Sequence, residues 1–251
     1  MIGATYESLR DKTVLVTGGA SGIGEAIVRA FAGQGCRVGF LDIDEDAAVR
    51  LLNDLPTDRS AFEKCDLRDI DALRDAIAKI RSRLGPITVL VNNAARDDRH
   101  SLESVTSEYW DERIATNLKH QFFATQAVVD DMRAAGGGAI LNMGSVSWVI
   151  GQGGMPCYTT SKSAVQGLTR GLARDLGPDN IRVNSVLPGW IMTQRQIDLW
   201  LTPESEKQLM ENQCLKRKLV PEDIAKAVLF FCSDEASACT NQSYIVDGGW
   251  V

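Results

Sequence analysis

Tyr158 and Lys162 stand four residues apart, a spacing that puts both side chains on one face of a helix. A phenol with an ordinary pKa of about 10 is a poor base at neutral pH. An ammonium beside it favours the phenolate, so the pair can take a proton from a hydroxyl. Ser145, thirteen residues before Tyr158, lies just past a strand candidate and can bring its hydroxyl to the same place. Asn117 lies within a long helix candidate, and Asn92-Asn93-Ala94 follows the strand candidate before it.

A second constellation lies near the N-terminus, Thr17-Gly18-Gly19-Ala20-Ser21-Gly22-Ile23-Gly24. It follows one strand candidate directly and opens a helix candidate. In that setting Gly18 permits a tight turn, Gly22 lets backbone approach a pyrophosphate, and Gly24 lets the helix pack closely on the strand. The exposed N–H groups and dipole of the helix start, around Ser21, Gly22 and Ile23, then hold the phosphates. Eighteen residues after Gly24, Asp42 ends the next strand candidate. A carboxylate there can accept hydrogen bonds from both hydroxyls of an adenosine ribose. The same charge repels a 2′-phosphate, and Ile43-Asp44 brings no cation to offset it, so the expected cofactor is NAD rather than NADP. Asp66 and Leu67, where the third strand candidate ends, are placed to border the adenine. The positive nicotinamide ring of such a cofactor would favour the Tyr158 phenolate further.

These groups need a scaffold that brings distant segments to one edge. Short β-branched runs at 13–17, 37–42, 61–65, 88–92, 139–143, 182–187 and 243–246 read as strands, most of them continuously apolar at their centres. Amphipathic stretches at 23–34, 46–55, 70–84, 108–135, 158–176 and 222–232 read as helices between them. Gly35 and Gly177-Pro178 supply stop signals, and Pro221 suits the first turn of the last helix. Alternation of this kind predicts a Rossmann-type, doubly wound α/β fold: a seven-stranded parallel sheet with helices on both faces. The 251 residues are read as one domain, 1–251. The stretch at about 190–220 is irregular or helical, holds no strand and belongs where a substrate-covering insertion would sit.

Composition narrows the classes. A chain of this length buries roughly 70% of its extended surface on folding and needs no metal or disulfide to do so. With a net charge of −6 and no cluster of Lys and Arg, nucleic acid and anionic membranes are not expected partners. Six cysteines without a C-x-x-C pair, and two histidines, give no metal site at familiar spacings; the thiols read as reduced, small apolar groups. The start Met1-Ile2-Gly3-Ala4-Thr5-Tyr6-Glu7 has no secretory pattern, and no apolar run reaches a membrane span of roughly 18 residues. The expected location is the cytoplasm.

Taken together, the glycine pattern, Asn92-Asn93-Ala94, Asn117, Ser145, Tyr158 with Lys162, Pro188-Gly189 with Thr193, and Asp247-Gly248-Gly249 resemble the short-chain dehydrogenase/reductase family over essentially the whole chain. The resemblance implies that Tyr158 is the general base for alcohol oxidation and that Lys162 lowers its pKa and binds the nicotinamide ribose. It implies that Ser145 hydrogen-bonds the reacting oxygen and that Asn117 supports a proton relay through water. Asn93, Ala94, Pro188, Gly189, Ile191 and Thr193 would line the nicotinamide side, and the assembly would be a homotetramer. Two departures stand out: Ala95 replaces the family's glycine after Asn-Asn-Ala, and Gly144-Ser145 replaces Ser-Ser.

The fold does not name the substrate. Asp97 and Arg99 after the fourth strand, Ser145 and Trp148 beyond the fifth, and Trp190 and Gln196 in the insertion supply paired polar groups and indoles. Such groups suit vicinal hydroxyls and the C–H face of a sugar, whereas a lipid pocket would be apolar. Residues 93–100, with Tyr109–Arg113 and 214–216, are similar to sugar 1-dehydrogenases of this family. The expected reaction is oxidation of an aldose such as L-arabinose or D-xylose at C1. The weighed alternatives are reduction of a 3-oxoacyl thioester, oxidation of another polyol or secondary alcohol, and a non-catalytic NAD-binding regulator.

Overall fold

The computed structural model describes residues 3–251. Met1 and Ile2, part of the stretch read above for a secretory signal, lie outside the described residues. Seven strands form, β1 (Thr13–Thr17), β2 (Arg37–Asp42), β3 (Ser60–Lys64), β4 (Val89–Asn92), β5 (Gly138–Met143), β6 (Ile181–Pro188) and β7 (Ser243–Val246). All pair in parallel within one sheet of order β3-β2-β1-β4-β5-β6-β7. The chain winds outward from β1 to β3 and returns to β4 beside β1. That reversal opens a crevice at the strands' carboxyl ends, where ligands of open α/β sheets bind.

Continuous apolar runs make sense because both faces of the sheet are covered. In β1, Val14 and Val16 pack into one core with α1 (Gly22–Gly33), α2 (Glu45–Asn53) and α9 (Pro221–Cys232). Leu15, between them, points to the opposite core with α3 (Ile70–Leu84), α5 (His120–Ala134) and α6 (Pro156–Leu176). Each such buried side chain contributes about 1.5–3 kcal/mol. The exception is β7, an edge strand that leaves Tyr244 and Ile245 exposed.

Side-chain caps fix where several helices begin. Asp44 accepts the Ala47 N–H at the start of α2, and Asp69 accepts those of Asp71 and Ala72 at the start of α3. Pro156 and Pro221 occupy the first turns of α6 and α9.

Two expectations need correction. The helix read over 108–135 is α4 (Ser107–Ile114) and α5 joined by a π-helical turn, Ala115–Lys119, which holds Asn117. An extra residue per turn leaves no trace in a 3.6-residue pattern, and such turns are frequent at functional sites. The 190–220 insertion takes the helical of the two forms read for it, as α7 (Gln194–Trp200) and α8 (Pro203–Asn212), tied back by a bridge between Ile191 and Leu219. Not all the thiols are small core groups, for Cys214 is exposed. Among the described residues, no helix is long and apolar enough to cross a membrane.

The glycine loop is the tightest joint of the fold. A Cβ on Gly24 would lie 1.8 Å from the Gly18 carbonyl oxygen and 2.7 Å from Asn93 Nδ2. The same amide donates to the carbonyls of Thr17 and Gly18, at 3.1 and 2.9 Å, strapping the loop after β4 to the loop after β1. Gly24→Ala is therefore expected to cost about 3 kcal/mol or more, read from urea unfolding midpoints. Gly33→Ala, at the open end of the same helix with nothing within 4 Å, should be neutral or stabilise by up to about 1 kcal/mol.

Candidate active site

A cleft of about 1100 Å³ runs along the carboxyl edge of the sheet. One end is built from the glycine loop. Gly22 holds φ at +56°, a left-handed conformation suited to glycine, and the outer side of its Cα faces only the Thr193 methyl, 3.1 Å from where a Cβ would stand. The Ser21 side chain does not cap α1, so the first-turn N–H groups are left to a ligand. Asp42 is held by the loop it serves: its Oδ2 accepts the Ala20 N–H at 2.9 Å, and its Oδ1 accepts those of Ile43 and Asp44 at 2.8 and 3.1 Å. Lys64, opposite Asp42 across the β2–β3 register, is paired with Glu45 at 3.1 Å. Asp66 also lines the cleft, gripped by Arg68 at 2.6 Å, a partner the sequence reading did not anticipate.

The other end holds Ser145, Tyr158 and Lys162. Ser145 follows β5, and its Oγ accepts the Ser147 N–H at 3.1 Å. Tyr158 and Lys162 project from one face of α6, the ammonium 5.7 Å from the centre of the phenol ring. Lys162 is 1% exposed, and its Nζ donates to the Met143 carbonyl at 2.8 Å. Burial pushes that ammonium down to about 7, opposed by the charge of Asp97. Burial also raises the Tyr158 phenol above its ordinary value, as does Asp97, while the Ser145 hydroxyl and Arg99 act against the rise.

Every residue assigned above to cofactor contact lines the cleft, as do Asp97, Arg99, Trp190 and Gln196. Two do not. Asn117 lies behind the wall, buried in the π-helical turn, and its Oδ1 accepts the Arg96 N–H at 2.7 Å. Trp148 is 37% exposed and outside the cleft, because the short 3-10 turn Val146–Trp148 buries Val146 and Ser147 and turns the indole outward. Ala95 is not among the residues with positive φ, so its departure from glycine brings no left-handed strain.

The family model described as enoyl-(acyl carrier protein) reductase matches residues 18–251. A D-xylose 1-dehydrogenase of Caulobacter vibrioides is 47% identical over 252 residues, covering 100% of each chain. A Rhizobium meliloti protein named a probable galactose dehydrogenase is 49% identical, covering 97% of this chain and 96% of its own. This chain belongs to the short-chain dehydrogenase/reductase family. It is an oxidoreductase of that family, whose members work with a nicotinamide cofactor. The crystal structure of a Sinorhizobium meliloti 1021 protein assigned to the short-chain alcohol dehydrogenases superposes with a TM-score of 0.92 at 30% identity, over 98% of both chains. A 3-oxoacyl-[acyl-carrier-protein] reductase of Thermotoga maritima is 37% identical, covering 97% of this chain and 99% of its own. The open backbone at Gly22 and the uncapped start of α1 fit the pyrophosphate of the nicotinamide cofactor that a short-chain dehydrogenase uses.

In this short-chain dehydrogenase the loop after β4 is a charged lattice rather than a solvated turn. Asp97 accepts from Gln196 Nε2 at 2.8 Å, and Trp190 Nε1 donates to Gln196 Oε1 at 2.9 Å. Asp98 pairs with Arg195 at 2.6 Å and with Arg113 at 2.7 Å. Glu112 and Arg113 also line the cleft. Nothing in the local pattern marks them, since their partners are distant in the chain.

His120, on α5, is fully buried, its ring near the backbone of Ala115 and Thr116. Burial first, and then the Lys162 ammonium, push it down to about 3. Between about pH 3 and 6.5 the unfolded chain binds a proton at this site that the folded chain does not. Stability must therefore fall as pH drops through that window. This group alone should remove about 3 kcal/mol between pH 7 and pH 4. Urea unfolding at the two pH values should show a smaller loss for His120→Gln than for the native chain.

Proposed function

We propose that this chain oxidises an aldopyranose, such as L-arabinose, D-xylose or D-galactose, at C1 with NAD, releasing the aldonolactone. The observation that carries this reading is the polar end of the cleft, where Asp97, Arg99, Trp190 and Gln196 gather around Ser145 and Tyr158. Hydroxyl-rich ligands suit such a wall, and an acyl chain would leave the half-buried Arg99 guanidinium without an oxygen acceptor. The two relatives named for D-xylose and galactose support the same class.

In this reading NAD, held by Gly18, Gly22, the start of α1 and Asp42, supplies a hydride acceptor. Ser145 donates a hydrogen bond to the anomeric oxygen. The Tyr158 phenolate takes the O1–H proton as the C1–H bond gives up its hydride and the C1–O double bond forms. Lys162 holds positive charge beside the phenol and carries the proton onward, with Asn117 fixing the turn behind it. Asp97, Arg99, Trp190 and Gln196 orient ring oxygens remote from C1. Since burial raises the phenol, the rate should climb with pH as the phenolate fills.

Two measurements test this. Tyr158→Phe should bind NAD almost normally while kcat falls at least 10²–10⁴-fold, the scale of lost general-base catalysis. A variant keeping a tenth of native turnover would remove Tyr158 from the role. The substrate is read from kcat/KM for the three sugars with NAD. Oxidation of none of them, together with reduction of a 3-oxoacyl thioester, would replace the sugar reading with that alternative.

Cofactor choice rests on Asp42, whose carboxylate would accept the adenosine ribose hydroxyls and repel a 2′-phosphate. Asp42→Ala should weaken NAD by about 1–3 kcal/mol and relax the exclusion of NADP. KM values for both cofactors check it, and no change in either would count against Asp42.

A further inference from the structure

Five arginines stand in the cleft wall: Arg68, Arg96, Arg99, Arg113 and Arg195. Four are spoken for. Arg68 meets Asp66 and Glu112, Arg96 and Arg195 meet Asp98, and Arg113 meets Asp98 and Glu112, all within 3.1 Å. Arg99 has no salt bridge among the described residues. It is half-buried, and burial lowers its own pKa, so its charge is held there at a cost.

Its place is nevertheless fixed from two sides. The His100 N–H donates to the Gly154 carbonyl at 2.8 Å, the Cys157 N–H donates to His100 Nε2 at 3.4 Å, and Arg99 Nη1 donates to Met155 Sδ at 2.8 Å. These contacts dock the Arg99–His100 segment on the residues that lead into Tyr158, whose own N–H donates to the Met155 carbonyl at 3.0 Å. On the other side the Trp200 ring, at the end of α7, lies 5.0 Å from the guanidinium carbon. A stacked, planar cation keeps its orientation while its charge stays available.

We propose that Arg99 is the second cation of the Tyr158 site, a positioning residue that favours the phenolate from the substrate side of the cleft while Lys162 favours it from α6. The proposal rests on the reading of Tyr158 as the base. Asp97 acts on Arg99 from beyond salt-bridge distance, and the phenolate, where it forms, adds a second counter-charge in the same cleft. The groups facing the phenol are accounted for. Asp97, from the loop after β4, opposes ionisation, but Gln196 at 2.8 Å and Arg195 at 3.5 Å draw its charge away. Ser145 favours ionisation from the end of β5. His120, on α5, is neutral above its low pKa, and burial keeps the neighbouring Cys157 a thiol. Arg99 then acts on Tyr158 from the cleft, while the Lys162 ammonium stands 5.7 Å from the ring centre on α6.

The test is an ultraviolet titration of tyrosinate in the NAD-bound enzyme, without sugar. Native chain, Arg99→Met and Arg99→Lys are each compared with the matching Tyr158→Phe form, so that the difference reports Tyr158 alone. Arg99→Met should move that titration up by about one pH unit, a tenfold loss of phenolate at a given pH. Arg99→Lys should recover most of the shift, and the acid limb of kcat should move with the titration while NAD affinity holds. An unmoved Tyr158 titration in folded Arg99→Met, or a change confined to the sugar KM, would overturn the proposal and leave Arg99 a ring-hydroxyl contact. Because no sugar is present, the result stands apart from the choice of substrate. Loss of the base role itself would instead appear as turnover in Tyr158→Phe.

Discussion

A buried ammonium is costly, and Lys162 has one fixed acceptor for it, the Met143 carbonyl at the end of β5. That bond pins α6 to the sheet and sets where Tyr158, one turn earlier, can stand. Burial drives Lys162 down towards neutrality and drives the phenol up, so each group alone resists its charged form. Side by side they relieve each other, because a phenolate next to an ammonium gives both charges a partner. The geometry needs α6 seated on the face of the sheet that carries Ile140, which the packing of Ala173 and Leu176 of α6 with Ile140 and Val183 provides. The placement of the pair is thus a consequence of helix-on-sheet packing, not of a flexible loop.

The loops decide what meets that pair. Arg113 is 4% exposed and satisfied by Asp98 and Glu112, which fixes α4 against the loop after β4. Asp98 also takes Arg195, the second residue of α7. Exposed ion pairs contribute little singly, but here one carboxylate is shared by a buried guanidinium and a half-exposed one. The insertion is thereby oriented by the same lattice that lines the cleft. Thr193 joins the two ends of the site: its Oγ1 caps α7, while its methyl lies over the backbone of Gly22.

What could be read from sequence follows the range of the interactions. All seven strands and their parallel arrangement were legible, because covering both faces of the sheet writes itself into runs such as Val14-Leu15-Val16. The glycine loop was legible because close approach leaves only one residue type, as the 1.8 Å between a Gly24 Cβ and the Gly18 oxygen makes plain. The π-helical turn at Asn117 was not, since one inserted residue barely disturbs the apolar pattern on either side. Trp148 was misplaced for a related reason: a 3-10 turn rotates successive side chains differently from a strand end, and its indole faces outward. The contacts of Asp97 with Gln196 and of Asp98 with Arg195 span nearly a hundred residues, and no local pattern encodes such a pairing.

The same division explains why the relatives agree on reaction type and differ in what their names say they act on. The sheet, the glycine loop and the Tyr158–Lys162 pair depend on close packing, where few substitutions fit. Residues 95–100 and 190–200 are surface loops and a short helix, and they tolerate change because little of the core rests on them. A dehydrogenase named for D-xylose and a reductase named for a 3-oxoacyl carrier substrate can therefore both align over nearly the full chain. In this chain charge and hydrogen bonding are exchanged between those two segments. The lattice joins Asp97 and Asp98 to Arg195 and Gln196, and Arg99, outside any salt bridge among the described residues, lies against the Trp200 ring in the same cleft as Tyr158.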